Sequence, residues 1–268
     1  MGQVYRLSSI LSNLDCLLSW IMFVKSPLSP AKIRAVFETT QWSLVIAAGG
    51  DSTRARNALA RLCETYWYPL YAYVRKRTSN PDDARDLTQG FLTSLLERRD
   101  FDNLRQERGR FRAFLLASFQ HFISNQGAHE RTQKRGGGAV LLPLTFEDAE
   151  GRYRFEPADS ENPQTLYERR WALTVIDRVL AQLREKWEAA GRGVEFDQLK
   201  DCLLGEGPSG GYQALATRLG TTEGAARTSA HRLRRNFQAK LRDEVAATVS
   251  NPEDVEDEIR YLIRALNT

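Results

Sequence analysis

Residues 212–241, YQALATRLGTTEGAARTSAHRLRRNFQAKL, constrain the fold more than any other stretch of the chain. A first short helix from Tyr212 to Leu219 would bury Leu215, Ala216 and Leu219 along one face. Gly220 follows where the chain must turn left-handed, which glycine does at no steric cost. Thr221 or Thr222 then caps a second helix. Ala226 is small where two helices must cross closely. That order of features is a helix-turn-helix, whose second helix lies in the major groove of duplex DNA. Thr222, Glu223, Arg227, Thr228 and His231 are expected on its outward face. Arg227 suits a guanine or a phosphate, and Glu223 suits the amino group of cytosine. The competing reading is a helical hairpin that binds nothing.

The rest of the 268 residues also reads as helix. Ala55, Ala58, Leu59, Leu62, Tyr66, Leu70, Tyr73 and Val74 recur near a 3.6-residue period, with a break or kink expected at Pro69. Asn80-Pro81 starts a second helix, with Asp82 and Asp83 against its positive end. Its apolar face is Ala84, Leu87, Phe91, Leu95 and Leu96. An Arg-rich loop, 101–110, leads to a third helix marked by Phe111, Phe114, Leu115, Phe119, Phe122 and Ile123. Gly136-Gly137-Gly138 closes this unit. Three prolines and no helical period make 139–163 a linker, with a short strand pair expected across Asp148–Gly151. A helix resumes near Pro163, and a last one follows Asn251-Pro252 with Val255, Ile259, Leu262, Ile263 and Leu266 on one side. The fold class is therefore all-α: two small helical domains, 51–135 and 164–242, joined by a flexible linker at 136–163. An extension, 1–50, precedes them, and an acidic helix, 243–268, follows.

Leu14 to Val24 is apolar but too short for a membrane, which needs about 20 residues to span ~30 Å. It reads as part of a dispensable extension, with Met22 as an alternative start; an extra packing helix or a membrane contact are the other readings. No membrane insertion is expected. Three widely spaced cysteines and three histidines form no metal pattern, and the cysteines fit a reducing cytosol. No G-x-S-x-G, Walker or H-E-x-x-H motif is present. Asp82, Asp83 and Asp86 are explained by a capped helix without metal. The expectation is a non-enzyme with no cofactor.

Charge is unevenly spread. Segment 104–135 holds seven Arg and Lys residues against two acids, and 227–242 holds six against none. The tail 243–268 reverses this, with seven acids against Arg260 and Arg264. Two basic patches on candidate nucleic-acid elements favour phosphate binding over a merely solvated face.

The helix-turn-helix segment resembles the promoter-binding fourth region of bacterial sigma-70-type factors, through Ala216, Leu219, Gly220, Gly224, His231 and Arg232. Upstream, PDDARDLTQGFLTSLLER (81–98) resembles the family's second region, whose core is present as Asp83, Ala84, Asp86, Leu87 and Gln89. GRFRAFLLASFQHFISNQGAHERTQKR (109–135) resembles its helix that melts and reads the minus-ten element. Two such regions with no domain between them resemble the extracytoplasmic-function class. The resemblance covers 53–135 and 168–242. It departs at Gly90, where an acid is usual, at Gln120-His121 and Asn125 in the minus-ten helix, and at Ala226 and Ala230, where bulkier residues are usual.

The resemblance implies an alternative sigma factor that binds core RNA polymerase and promoter DNA in the cytoplasm, and it leaves room for an anti-sigma partner. Asp83, Asp86 and Gln89 would dock on a polymerase coiled coil, with Asp83, Asp86 and Gly90 sharing one polar face. Arg105, Arg108, Arg110, Arg112, Gln120, His121, Ser124 and Asn125 would meet the minus-ten strand. Thr222, Glu223, Arg227, Thr228, His231, Arg232, Arg234 and Arg235 would meet the duplex. The phenylalanines of the third helix are assigned mostly to the core. The alternative is a helix-turn-helix regulator that does not act as a sigma subunit; a third is a module whose basic helices bind acidic proteins. For the acidic tail, two readings stand: a shield over the basic helix, or a permanent packing helix.

Overall fold

The computed structural model describes Trp42, Val45 and residues 53–97, 110–129, 149–154, 162–203, 207, 208 and 210–267. Among the described residues there are nine helices with assigned ends, one 3₁₀ turn and no strands, and Trp42 and Val45 are helical as well. In chain order the helices are α1 (Thr53–Arg75), α2 (Pro81–Glu97), α3 (Phe111–His129), α4 (Ala149–Tyr153), α5 (Pro163–Ala189), α6 (Gly193–Leu199), α7 (Gly211–Leu219), α8 (Glu223–Ala246) and α9 (Asp254–Leu266). The 3₁₀ turn, Lys200–Cys202, follows α6. None of the described helices is long and apolar enough to cross a membrane.

Local chemistry sets the helix ends. Pro69 has no N–H for the carbonyl four residues back, and α1 kinks at Tyr66 (φ −111°, ψ 22°). The Asn80 side chain accepts from the Asp82 N–H at 3.0 Å, with Pro81 as the first helical residue of α2. Asn162 caps α5 by accepting from the Thr165 N–H at 2.8 Å, again before a proline.

The expected faces are mostly the buried ones. On α3, Phe111, Phe114, Leu115 and Phe119 are buried, while Phe122 and Ile123 are partly buried. On α9, Val255, Ile259, Leu262, Ile263 and Leu266 are all buried. Helix α2 is rotated from expectation: Thr88 and Leu92 are buried, and Leu87 and Leu96 only partly so. Thr88 can turn inward because its hydroxyl donates to the Ala84 carbonyl at 2.7 Å, which satisfies the buried oxygen.

One expectation is corrected. Where the turn and the start of the second strand were expected, residues Ala149–Tyr153 form the short helix α4, docked on α1. There Glu150 receives hydrogen bonds from Arg75 Nη2 at 2.9 Å and Nε at 3.1 Å, and from the Tyr71 hydroxyl at 2.8 Å. The Arg152 guanidinium lies 3.9 Å from the Tyr68 ring centroid. These contacts clamp a segment read as linker onto the first half. The VLLPLTF stretch, the three glycines at 136–138 and the Leu14 to Val24 segment lie outside the described residues.

A hydrophobic core of buried residues runs from Trp42 to Leu266. Helix α5 packs against α1, α8 and α9, and the Tyr66 hydroxyl of α1 also reaches Glu244 of α8. Tyr66 of α1 stacks on Trp171 of α5 at 3.9 Å and 12°, and Phe111 of α3 packs against both. Such a ring pair adds about 0.5–1.5 kcal/mol beyond the area it buries. Main-chain bonds tie the halves as well: Phe111 N–H to the Thr248 carbonyl at 2.8 Å, and Trp42 N–H to Ala247 at 3.2 Å. Through these contacts the described residues of the two halves pack against each other.

Candidate nucleic-acid interface

The turn between α7 and α8 is built as the sequence demands. Gly220 is left-handed (φ 63°, ψ 36°). Its N–H donates to the Thr217 carbonyl at 3.2 Å, and the Thr221 N–H to Ala216 at 3.0 Å, which closes α7 with a Schellman pair. Thr222, not Thr221, is the cap of α8; its hydroxyl accepts from the Ala225 N–H at 3.3 Å. Along α8, Ala226, Ala230, Leu233, Phe237, Leu241 and Val245 form the buried stripe. Ala226 and Ala230 are fully buried on α8, which packs against α7, where Leu215 and Ala216 are buried. Their small size is what lets α7 and α8 pack closely. Leu219, expected in that core, is only partly buried.

This stripe leaves Thr222, Arg227, Thr228, His231, Arg232 and Arg235 exposed, with Glu223 half-buried beside them. Arg227 is ordered before any ligand arrives. Its Nη2 sits 2.6 Å from Glu223 Oε1, and its guanidinium lies 4.6 Å from the Tyr212 ring centroid. The pair is exposed and contributes little to stability. It does fix the guanidinium beside Tyr212, and it engages Oε1 of the Glu223 carboxylate that was expected to meet cytosine. Thr228 donates back to the Gly224 carbonyl at 2.9 Å, which leaves its oxygen to accept from a ligand. Arg234 is half-buried, and its Nε donates to the Cys202 carbonyl at 2.7 Å, which fastens α8 to the 3₁₀ turn.

The first half is arranged differently. Arg112 is 6% exposed, and Glu258 of α9 is 1% exposed. Arg112 Nε and Nη2 meet the Glu258 carboxylate at 3.0 and 3.3 Å. Its Nη1 lies 3.6 Å from Glu168, and the Tyr261 ring covers it at 3.9 Å. Arg110 Nε meets the same Glu258 at 2.9 Å. Arg112, expected on the minus-ten strand, is therefore an interior group. Arg110 is half-covered and already paired. Both are held because their chain segment pairs with Thr248 and Val249, beneath α9. Arg105 and Arg108 lie outside the described residues.

Further along α3, His121, Ser124 and Asn125 are exposed. The Gln120 amide donates to the Tyr73 hydroxyl at 3.2 Å, and Arg77 Nη1 donates to the same oxygen at 2.8 Å. On α2, Asp83 and Asp86 are exposed and Gln89 is half-buried. Gly90 does not share their face in full: a Cβ there would meet the Phe122 ring at 3.6 Å, so this edge of α2 turns toward α3.

The tail packs on the C-terminal part of α8 but leaves the face that holds Arg227, His231, Arg232 and Arg235 exposed. The ion pairs described for α9 run from Glu258 to Arg110 and Arg112, from Glu256 to Arg242 at 2.7 Å, and within α9 from Asp257 to Arg260. None of them reaches Arg227, His231, Arg232 or Arg235. Glu258 and Tyr261 were not foreseen as the groups that claim Arg110 and Arg112. The available signal was a charge within each apolar stripe: Arg112 three residues before Leu115, and Glu258 three after Val255. Among the described residues no group of His, Cys, Asp and Glu could hold a metal ion. Comparisons with protein families, with curated proteins and with solved structures found no match to this chain.

Proposed function

We propose that this chain is an alternative sigma factor, which binds core RNA polymerase and directs promoter-specific initiation in the cytoplasm. The observation that carries the duplex-binding part is the α7–α8 turn: a left-handed Gly220 and a capping Thr222 present Arg227, Thr228, His231, Arg232 and Arg235 on one exposed helix. That is the arrangement a major-groove reader needs. The polymerase-binding part rests on the resemblance of 81–98, with Asp83 and Asp86 exposed as docking requires. Residues 51–135 and 164–242 are then the two promoter-binding regions, and an anti-sigma factor would act by covering either one. A run-off assay with core polymerase tests this. Promoter-dependent transcripts that appear only when the chain is added support it, and their absence rejects it.

The burial of Arg112 and the pairing of Arg110 favour a second reading, a helix-turn-helix regulator that binds duplex through α8 alone. Sequence-specific duplex binding without run-off transcripts would select that reading.

A further inference from the structure

We infer that single-stranded nucleic acid meets the first half of the chain across Arg77, Tyr73 and Gln120, at the α1–α3 junction, and not at Arg110 and Arg112. The inference rests on the sigma reading above and names a contact surface for it. Glu258 holds Arg112 in the interior and pairs with the half-covered Arg110. The middle of α3 retains exposed polar side chains, His121, Ser124 and Asn125, but no cation of its own. Phosphate binding needs one, because affinity comes from neutralised charge and released counterions.

Arg77 supplies it. Arg77 is exposed at the end of α1, and no carboxylate pairs with it among the described residues. It is also fixed in place: Nη1 donates to the Tyr73 hydroxyl at 2.8 Å, and its guanidinium lies over the Tyr73 ring at 5.5 Å. Tyr73 is itself buried against Phe119 of α3, so the hydroxyl is anchored between the two helices. The Gln120 amide donates to that hydroxyl from the α3 side. Ser124, one turn on, donates back to the Gln120 carbonyl. Cation and amide thus converge on the Tyr73 oxygen, which accepts from both, and each keeps further N–H donors for a ligand. The ligand they fit carries acceptors spaced along a chain, as the phosphate and base oxygens of a single strand are. No helix has to move for a strand to reach them.

The test is fluorescence anisotropy with a labelled single-stranded oligodeoxynucleotide and the full chain. Removing one phosphate contact should weaken binding about three- to tenfold and lower the slope of log affinity against log salt by about 0.7. Arg77→Ala is expected to do both, and Arg77→Lys to keep most of the slope. Arg110→Ala should leave affinity within about twofold, since its charge is already spent on Glu258. If Arg77→Ala binds as tightly as the unaltered chain, or if the unaltered chain binds no single strand, the inference is overturned. Photocrosslinking of the unaltered chain to an iodouracil-bearing oligonucleotide needs no variant. Crosslinks in 73–77 or 120–125 support the inference, and crosslinks confined to α8 overturn it. Run-off transcription and duplex binding by α8 are read separately, so failure of the sigma reading is distinguishable from failure here.

Discussion

The two basic segments of this chain meet opposite fates. In 227–242 the arginines Arg227, Arg232 and Arg235 lie off the stripe of Ala226, Ala230, Leu233 and Phe237, and they face solvent. At the start of α3, Arg112 lies on the stripe with Leu115 and Phe119, and it faces the core. Counting charge does not separate these cases; helical phase does. An arginine in phase with an apolar stripe must find a buried carboxylate, because an isolated buried charge is too costly to keep. Arg112 finds Glu258, 146 residues away in sequence and equally out of place on its own stripe.

Removing α9 would break the comparison most severely. Truncation before Asp254 exposes the surfaces that Val255, Ile259, Leu262, Ile263 and Leu266 cover, and leaves Arg112 without Glu258. Each apolar side chain contributes about 1.5–3 kcal/mol, so the sum rivals the whole 5–15 kcal/mol of a typical domain. The expected outcome is loss of the cooperative thermal transition in calorimetry. A folded truncation that binds promoter DNA more tightly would restore the shielding role for the tail.

A smaller change isolates the charge. Glu258→Leu leaves two arginines facing an apolar group and should cost about 3–5 kcal/mol in urea unfolding. Adding Arg112→Met should recover much of that loss, since a buried ion pair and a packed apolar pair are often equal in stability. On α8 the matching experiment has the opposite character. Glu223→Gln breaks the exposed pair with Arg227 and should change stability by less than about 1 kcal/mol. Arg227→Ala should instead lower duplex affinity by about 1–3 kcal/mol if it reads a base. Equal weakening on every sequence would reassign it to phosphate.

Local signals were legible and distant ones were not. The Pro69 kink, the Asn80-Pro81 start, the Gly220 turn and the apolar side of α9 each depend on residues within a few positions, so their pattern suffices. The burial of Phe111, Phe114 and Phe119 followed from spacing in the same way. The shared core could not be read this way, because the stacking of Tyr66 on Trp171 joins residues more than a hundred positions apart. Glu150 shows the same limit: in a proline-bounded segment it read as linker, and only the Arg75 and Tyr71 side chains across the gap make it part of the fold. For the candidate interface, the outward set on α8 was legible except Arg234. Its partner is a main-chain carbonyl of a 3₁₀ turn, which no residue type announces.

Asp177 of α5 lies between the two extremes and sharpens the rule. It is partly buried and has Arg152 and Arg170 near enough to act on its charge, yet burial dominates and holds its carboxyl up at about 6. The native state therefore keeps a proton that the unfolded chain, titrating near 4, has already lost. Across pH 4 to 6 the native state binds more protons, so this group makes stability fall as pH rises. Above about pH 7 the cost is complete; below pH 4 it fades to nothing. Asp177→Asn removes the charge and keeps the shape. It should raise stability at pH 7.5 by about 1–2 kcal/mol, after allowing for solvent screening of a partly exposed group, and by only about 0.3 kcal/mol at pH 4. Urea titrations of both chains at the two pH values read this directly. A variant less stable at pH 7.5 would mean that the attraction of Arg152 and Arg170 outweighs burial, and would move Asp177 to the side of Glu258.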